Sequence, residues 1–173
     1  RKHIKINGES VVELDYGSLH VHLAYSKLGI DYGQGNDPYS LDGFDKKYRN
    51  VIKLATLTSL NMKNEQYFAQ TITKRLQEDG LYIPNVPFND IKRAILKKHY
   101  KIKEFFFSGV GLEFMYLDSC VTEYIIKKFT TQKIPVLSIH DSYIVGKSYK
   151  KLLVEMMTSA FRYNKLNSIP VIK

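Results

Sequence analysis

Two aspartates and two cations carry whatever chemistry this sequence offers. Asp15 closes the run Val11-Val12-Glu13-Leu14-Asp15-Tyr16, just ahead of Gly17-Ser18. The Val and Leu content reads as a buried strand, Gly17 breaks it, and Ser18 is placed to cap a following helix. Asp141 lies in Ile139-His140-Asp141-Ser142 between two apolar runs, with His140-Asp141 as a two-residue hairpin turn. Taken singly, each aspartate has a plain structural reading, a helix cap at 15 and a turn residue at 141. Taken together they say more. If their strands are neighbours, both carboxylates project from one end of a sheet. Two such groups repel each other unless a cation lies between them. Mg²⁺ accepts carboxylate and phosphate oxygens and keeps several waters. A pair of such ions, Mg²⁺ or Mn²⁺, activates an attacking hydroxyl and stabilises a leaving pyrophosphate. Phosphoryl transfer asks little more of a protein than positioning and charge.

The cations are Arg49 and Lys53, in Tyr48-Arg49-Asn50-Val51-Ile52-Lys53-Leu54-Ala55-Thr56-Leu57-Thr58-Ser59-Leu60-Asn61. They are four apart and share a helical face, with Leu57 one turn on. Like charges at that spacing repel, so an isolated helix gains nothing from them. A polyphosphate running alongside would use both, the arginine as a fork and the lysine as a point charge. A solvated basic face is an equally good reading of this helix alone.

The elements that must hold these residues follow from turn signals and periodicity. A short strand piece at 4–9 ends at Asn7-Gly8, and the strand of Asp15 follows. A helix from Ser18 to about Lys27 ends at Gly29. A loop rich in Gly, Asp, Asn and Tyr covers 29–44. Helices are predicted from about Phe44 to Asn61, over Asn64–Glu78, and from Asn89 or Asp90 to about Lys103, with a proline-bearing connector at 81–88. A long apolar helix, Leu112–Phe129, is expected to be the central buried one. Strands at Ile134–Ile139 and Ser142–Gly146 flank Asp141. A helix over about Tyr149–Tyr163 and a short strand at Ile169–Ile172 close the chain. Few strands, with helices before, between and after them, mean an α+β fold with a small antiparallel sheet.

Composition bounds the class of function. The 173 residues suffice for one domain with a real core. Lys and Arg outnumber Asp and Glu by 26 to 17, a net charge of +9 that suits nucleic acid or another polyanion. The single cysteine, Cys120, makes neither an internal disulfide nor a zinc site, and an intracellular, cytoplasmic setting is expected. No apolar run is long enough to span a bilayer, and neither a signal peptide nor a membrane partner is expected. The chain starts Arg1-Lys2-His3 and is expected to be the C-terminal part of a longer protein.

The order of the three patterns resembles motifs A, B and C of the family A DNA polymerases and the single-subunit phage-type RNA polymerases. Leu14-Asp15-Tyr16-Gly17-Ser18 resembles motif A. Arg49-x-x-x-Lys53, with Leu57, Thr58 and Asn61, resembles motif B. Ile139-His140-Asp141-Ser142 resembles motif C, and polymerase-like proteins of phages and mobile elements are the most similar of all. The resemblance implies a palm domain with fingers reduced to about residues 30–105 and no thumb. It implies that Asp15, Asp141 and the main-chain carbonyl of Tyr16 ligate two Mg²⁺ or Mn²⁺ ions. Arg49, Lys53, Leu57, Asn61 and His20 would face the incoming nucleoside triphosphate, and His140 would flank the primer terminus. Two departures fall on sugar discrimination. His20 stands where the DNA polymerases carry a glutamate, and Asn61 where motif B usually carries a tyrosine.

The function expected is template-dependent nucleotidyl transfer onto a primer–template. A polymerase relative that only binds nucleic acid is a second reading, and a metal-dependent nuclease a third. The nuclease would need further carboxylates. Glu13 is expected on the opposite strand face from Asp15, and Asp118 and Glu113 lie on the long helix.

Overall fold

Asn7 and Gly8 both adopt left-handed backbone, at φ 52° and 80°, and so build the tight turn whose twist suits a two-residue hairpin. In the computed structural model, which describes residues 3–80 and 85–173, this turn joins β1 (Lys5–Ile6) to β2 (Glu9–Asp15), with Ile6 opposite Glu9. The second hairpin is β3 (Leu137–Ile139) and β4 (Ser142–Gly146), joined by His140-Asp141. Together they form one antiparallel sheet in the order β1-β2-β4-β3. The expected α+β class, a small antiparallel sheet with helices packed on it, holds.

The chain divides into two compact units. One comprises the described residues up to Asn36 together with Phe114–Lys173; the other is Asp37–Glu113. The first holds the sheet, α1 (Leu19–Lys27), α6 (Lys150–Tyr163) and nearly all of α5 (Gly111–Thr131). Its core joins Leu14, Tyr16, Val21, Leu23, Tyr143, Val145, Leu153, Met157 and Phe161. The second holds α2 (Arg49–Asn61), α3 (Phe68–Glu78) and α4 (Phe88–Lys98) around Val51, Ile52, Ala55, Phe68, Ile72, Ile91 and Ile95.

Several boundaries differ from expectation. The helix expected to start near Phe44 begins as a 3₁₀ turn, Lys46–Tyr48, capped by the Asp45 carboxylate on the Lys47 N–H. Asn64 caps a similar turn before α3. The basic helix expected to reach Lys103 stops at Lys98, because the chain bends there to bury His99, whose Nε2 lies 3.0 Å from the Pro38 carbonyl. A 3₁₀ stretch, Tyr100–Phe105, then buries Ile102 and Phe105. Part of the 81–88 connector lies outside the described residues.

The strand expected over Ile134–Ile139 is confined to its last three residues, and that over Ile169–Ile172 to one bridge between Tyr16 and Ile172. Nor is α5 buried all round. Phe114, Val121, Ile125 and Phe129 form one buried stripe at helical spacing, while Leu112, Met115 and Tyr116 are exposed.

Candidate active site

β2 and β4 bring the two aspartates to one end of the sheet. Their register pairs Leu14 with Tyr143 and Asp15 with Ser142, so Asp141 follows at the next step, where the Tyr16 N–H donates to its carbonyl at 3.3 Å. The strand end is anchored by Tyr16. Its ring is buried against Phe161 (centroids 5.1 Å apart) and edge-on to Tyr143, and its hydroxyl donates to the Met157 carbonyl at 2.7 Å. On the other edge of β2 the closing residues of the chain pair with the same segment. Asp15 exchanges both backbone hydrogen bonds with Lys173, and the Gly17 N–H donates to Val171. Asp15 therefore has fixed backbone on both sides, which limits how far its carboxylate can wander.

Left-handed backbone brackets the pair. His140 sits at φ 53° in the hairpin turn, and Ser18 at φ 61° between β2 and α1. Such conformations in residues with a Cβ cost energy and gather at functional sites. Ser18 makes no side-chain cap, contrary to expectation. The chain needs its left-handed turn to leave β2 and enter α1, and that backbone does not present the hydroxyl to the first helical N–H groups.

Three more side chains sense this end of the sheet. His20, on the first turn of α1, is half-buried. Burial pushes its pKa down, and the Asp141 carboxylate pulls it partly back. Its ring centroid is 6.1 Å from that of Phe114. Asp118 of α5 is pushed up to about 6, first by burial, then by the Asp141 carboxylate, with His140 opposing. Its Oδ1 is shut off from solvent and has no hydrogen-bond partner among the described residues. One turn on, Thr122 bonds the Tyr143 hydroxyl at 2.7 Å, which ties that face of α5 to β4. Asp118, Thr122, Ser138 and His140 line an open groove of about 620 Å³. The sequence offers Asp118 only as an extra carboxylate for a nuclease; its signal is an acid within an apolar helical run.

Glu13 corrects an expectation. Side chains alternate along a strand, so residues two apart share a face, and Glu13 lies on the same face of β2 as Asp15. Its carboxylate is engaged, accepting the Ser142 hydroxyl at 2.8 Å.

The residues of the Arg49–Asn61 helix belong to the other unit. Arg49 opens α2 and is held in place. Its Nε and Nη2 donate to the Asp37 carboxylate at 2.7 and 3.1 Å, and its guanidinium lies 5.6 Å from the Tyr39 ring centroid. Asp37 is lowered in pKa, burial being more than offset by the Arg49 hydrogen bonds, the Tyr39 N–H and nearby Lys98. Lys53 is exposed one turn on, and Leu57 is half-buried. Asn61 ends the helix with its Nδ2 donating to the Leu57 carbonyl at 2.7 Å and its Oδ1 against Gly111.

No family model matches this sequence, and no curated protein does. Among solved structures the chain is similar to the POL domain of Pol1 from M. smegmatis, determined with DNA primer-template and dNTP. The TM-score is 0.45 and the identity 12%, over 97% of this chain and 39% of that one. The chain thus spans about two fifths of the polymerase chain it matches.

The donor set at the sheet end suits a hard divalent cation. Asp15 and Asp141 offer carboxylate oxygens, and main-chain carbonyls lie beside them. Among the described residues no group of three or more His, Cys, Asp or Glu side chains is assembled to hold a metal. Among the described residues no helix is long and apolar enough to cross a membrane.

Proposed function

We propose that this chain is a nucleotidyltransferase of the template-dependent, polymerase-like kind, adding nucleotides from nucleoside triphosphates to a primer. The observation that carries the reading is the β2–β4 register, which brings the strand ends that bear Asp15 and Asp141 to the same end of the sheet. Asp15 and Asp141 would hold two Mg²⁺ or Mn²⁺ ions, with the Tyr16 carbonyl as a further ligand. Bound there, the ions supply activation of the primer hydroxyl and charge neutralisation at the leaving pyrophosphate.

The chain's own residues do the rest. The backbone pairing of Asp15 with Lys173 and the burial of Tyr16 keep the first carboxylate in place. The His140-Asp141 turn presents the second, and His140 flanks the primer terminus. Arg49 and Lys53 bind the triphosphate, with Leu57, Asn61 and His20 beside the nucleotide. Arg49 has an advantage here. Asp37 occupies its Nε–Nη2 side, which leaves the two terminal nitrogens to face phosphate as a second fork.

A labelled primer–template incubated with Mg²⁺ or Mn²⁺ and all nucleotides tests the proposal. Extension by the wild type, abolished in Asp15→Asn and Asp141→Asn, supports it. The second reading is a relative that binds nucleic acid without catalysis. Retention of the primer–template with no change in length would establish that reading instead, and shortening would point to a nuclease.

A further inference from the structure

Away from the aspartate pair, α5 and α6 leave a groove of about 320 Å³ bordered by Glu123, Tyr124, Lys127, Lys128, Tyr163 and Asn164. Tyr163, the last residue of α6, is 72% exposed. Its ring lies against Tyr124 of α5, centroids 4.8 Å apart and planes 38° from parallel, and the rest of it faces water. The Lys128 ammonium stands 5.2 Å from the Tyr124 centroid. Lys127 is paired with Glu123 at 2.6 Å, whereas among the described residues Lys128 has no ion-pair partner. Arg162 and Lys165 are exposed and flank Tyr163-Asn164 in sequence.

An open aromatic ring beside an uncompensated cation has a particular complement. A nucleobase covers the ring whatever its identity, because every base has a π-face, and the adjoining phosphate meets the cation. An apolar protein helix fits worse, since it would desolvate Lys127, Lys128 and Glu123 without returning their hydration. The net charge of +9 adds attraction at longer range for any polyanion. Glu123 and Lys127 also line the groove beside Asp118 and His140, whereas Tyr124, Lys128, Tyr163 and Asn164 do not.

We propose that this groove binds single-stranded nucleic acid, with one base stacked on the open face of Tyr163 and a neighbouring phosphate against Lys128. The proposal goes beyond the polymerase reading and requires nothing of Asp15 or Asp141.

The test is the anisotropy of a labelled oligodeoxythymidylate of about 12 nucleotides, a length typical of single-strand sites, at low salt and in EDTA so that no metal-dependent step intervenes. Tyr163→Ala and Lys128→Ala should each weaken binding about tenfold, the usual scale for one stacked base. Tyr163→Phe should bind as the wild type does, because the ring is kept. Asp141→Asn should also bind normally, which separates this groove from the nucleotidyl-transfer site. An abasic strand of equal length should compete about tenfold less well. The proposal is overturned if the wild type does not bind, if Tyr163→Ala binds equally well, or if the abasic strand competes as effectively as the thymidylate. Primer extension reports on the polymerase reading separately, so either idea can fall while the other stands.

Discussion

Asp118 has a carboxyl oxygen shut away from water and without a partner among the described residues, next to the Asp141 carboxylate. A charge in that position is costly, which is why the group holds its proton up to about pH 6. Its folded pKa lies above the ordinary carboxylate value, so the stability it contributes is present at low pH and is lost as pH rises through about 6. Asp118→Asn is therefore expected to stabilise the chain at pH 7 by about 1 kcal/mol, a figure reduced for partial solvent screening. Urea unfolding at pH 4.5 and 7 checks this; equal effects at the two values would contradict it. Asp37 makes the complementary case. Its ion pair with Arg49 is partly exposed, so Asp37→Asn should cost less than about 1 kcal/mol of stability. The pair matters for placement, and if Arg49 grips triphosphate the same substitution should raise the nucleotide KM about threefold to tenfold with kcat nearly unchanged. Initial rates across nucleotide concentrations decide it.

Elements show which of these placements a sequence can announce. Asn7-Gly8 and His140-Asp141 were legible because a two-residue turn between alternating strands restricts residue type and backbone together. Asp15 and Asp141 were legible as a pair only through their order around Arg49 and Lys53, since a cap and a turn each explain one aspartate completely. What could not be read was long-range. Nothing local shows that His99 must stop α4 to reach the Pro38 carbonyl, that Asp37 will hold Arg49, or that Ser18 turns left-handed. The apolar run of α5 was overread because Leu112, Met115 and Tyr116 count as core in a pattern but stay in solvent in the fold. The start of α5 is set by a close approach rather than by propensity. A Cβ at Gly111 would come within 1.8 Å of Asn61 Oδ1. Gly111→Ala should thus destabilise by about 1–3 kcal/mol through overpacking. Asn61→Ala should recover most of that loss in the double variant, because the clashing atoms are side-chain atoms. Thermal unfolding of the four proteins in this cycle measures the coupling, and an additive result would mean that the contact is not what confines position 111.

At the scale of the whole molecule, acid should weigh on the two units unequally. In Asp37–Glu113, His99 is pushed down to about 4, chiefly by burial and also by Lys98, against the hydrogen bond that its Nε2–H donates to the Pro38 carbonyl. A histidine held neutral by the fold contributes stability that is present above its ordinary pKa and is lost as pH falls through about 4. Asp37 acts in the same direction only at still lower pH, below its ordinary pKa of 3.8, where protonation breaks its hold on Arg49. In the sheet-bearing unit the effects oppose each other. His20 and His22 are lowered by burial and lose stability in acid, but Asp118 is raised and gains it. Between pH 6.5 and 4 the amides of α2 and α4 should therefore lose protection faster than those of β2, β4 and α6. Hydrogen exchange followed by mass spectrometry, corrected for intrinsic exchange rates, resolves the two sets of peptides. His99→Gln, an uncharged replacement with a side-chain amide for the Pro38 carbonyl, should flatten the α2 and α4 profiles and leave the sheet peptides unchanged. A steeper loss in β2 and β4 than in α2 and α4 would show that the histidines of the first unit, and not His99, set the acid limit of the fold.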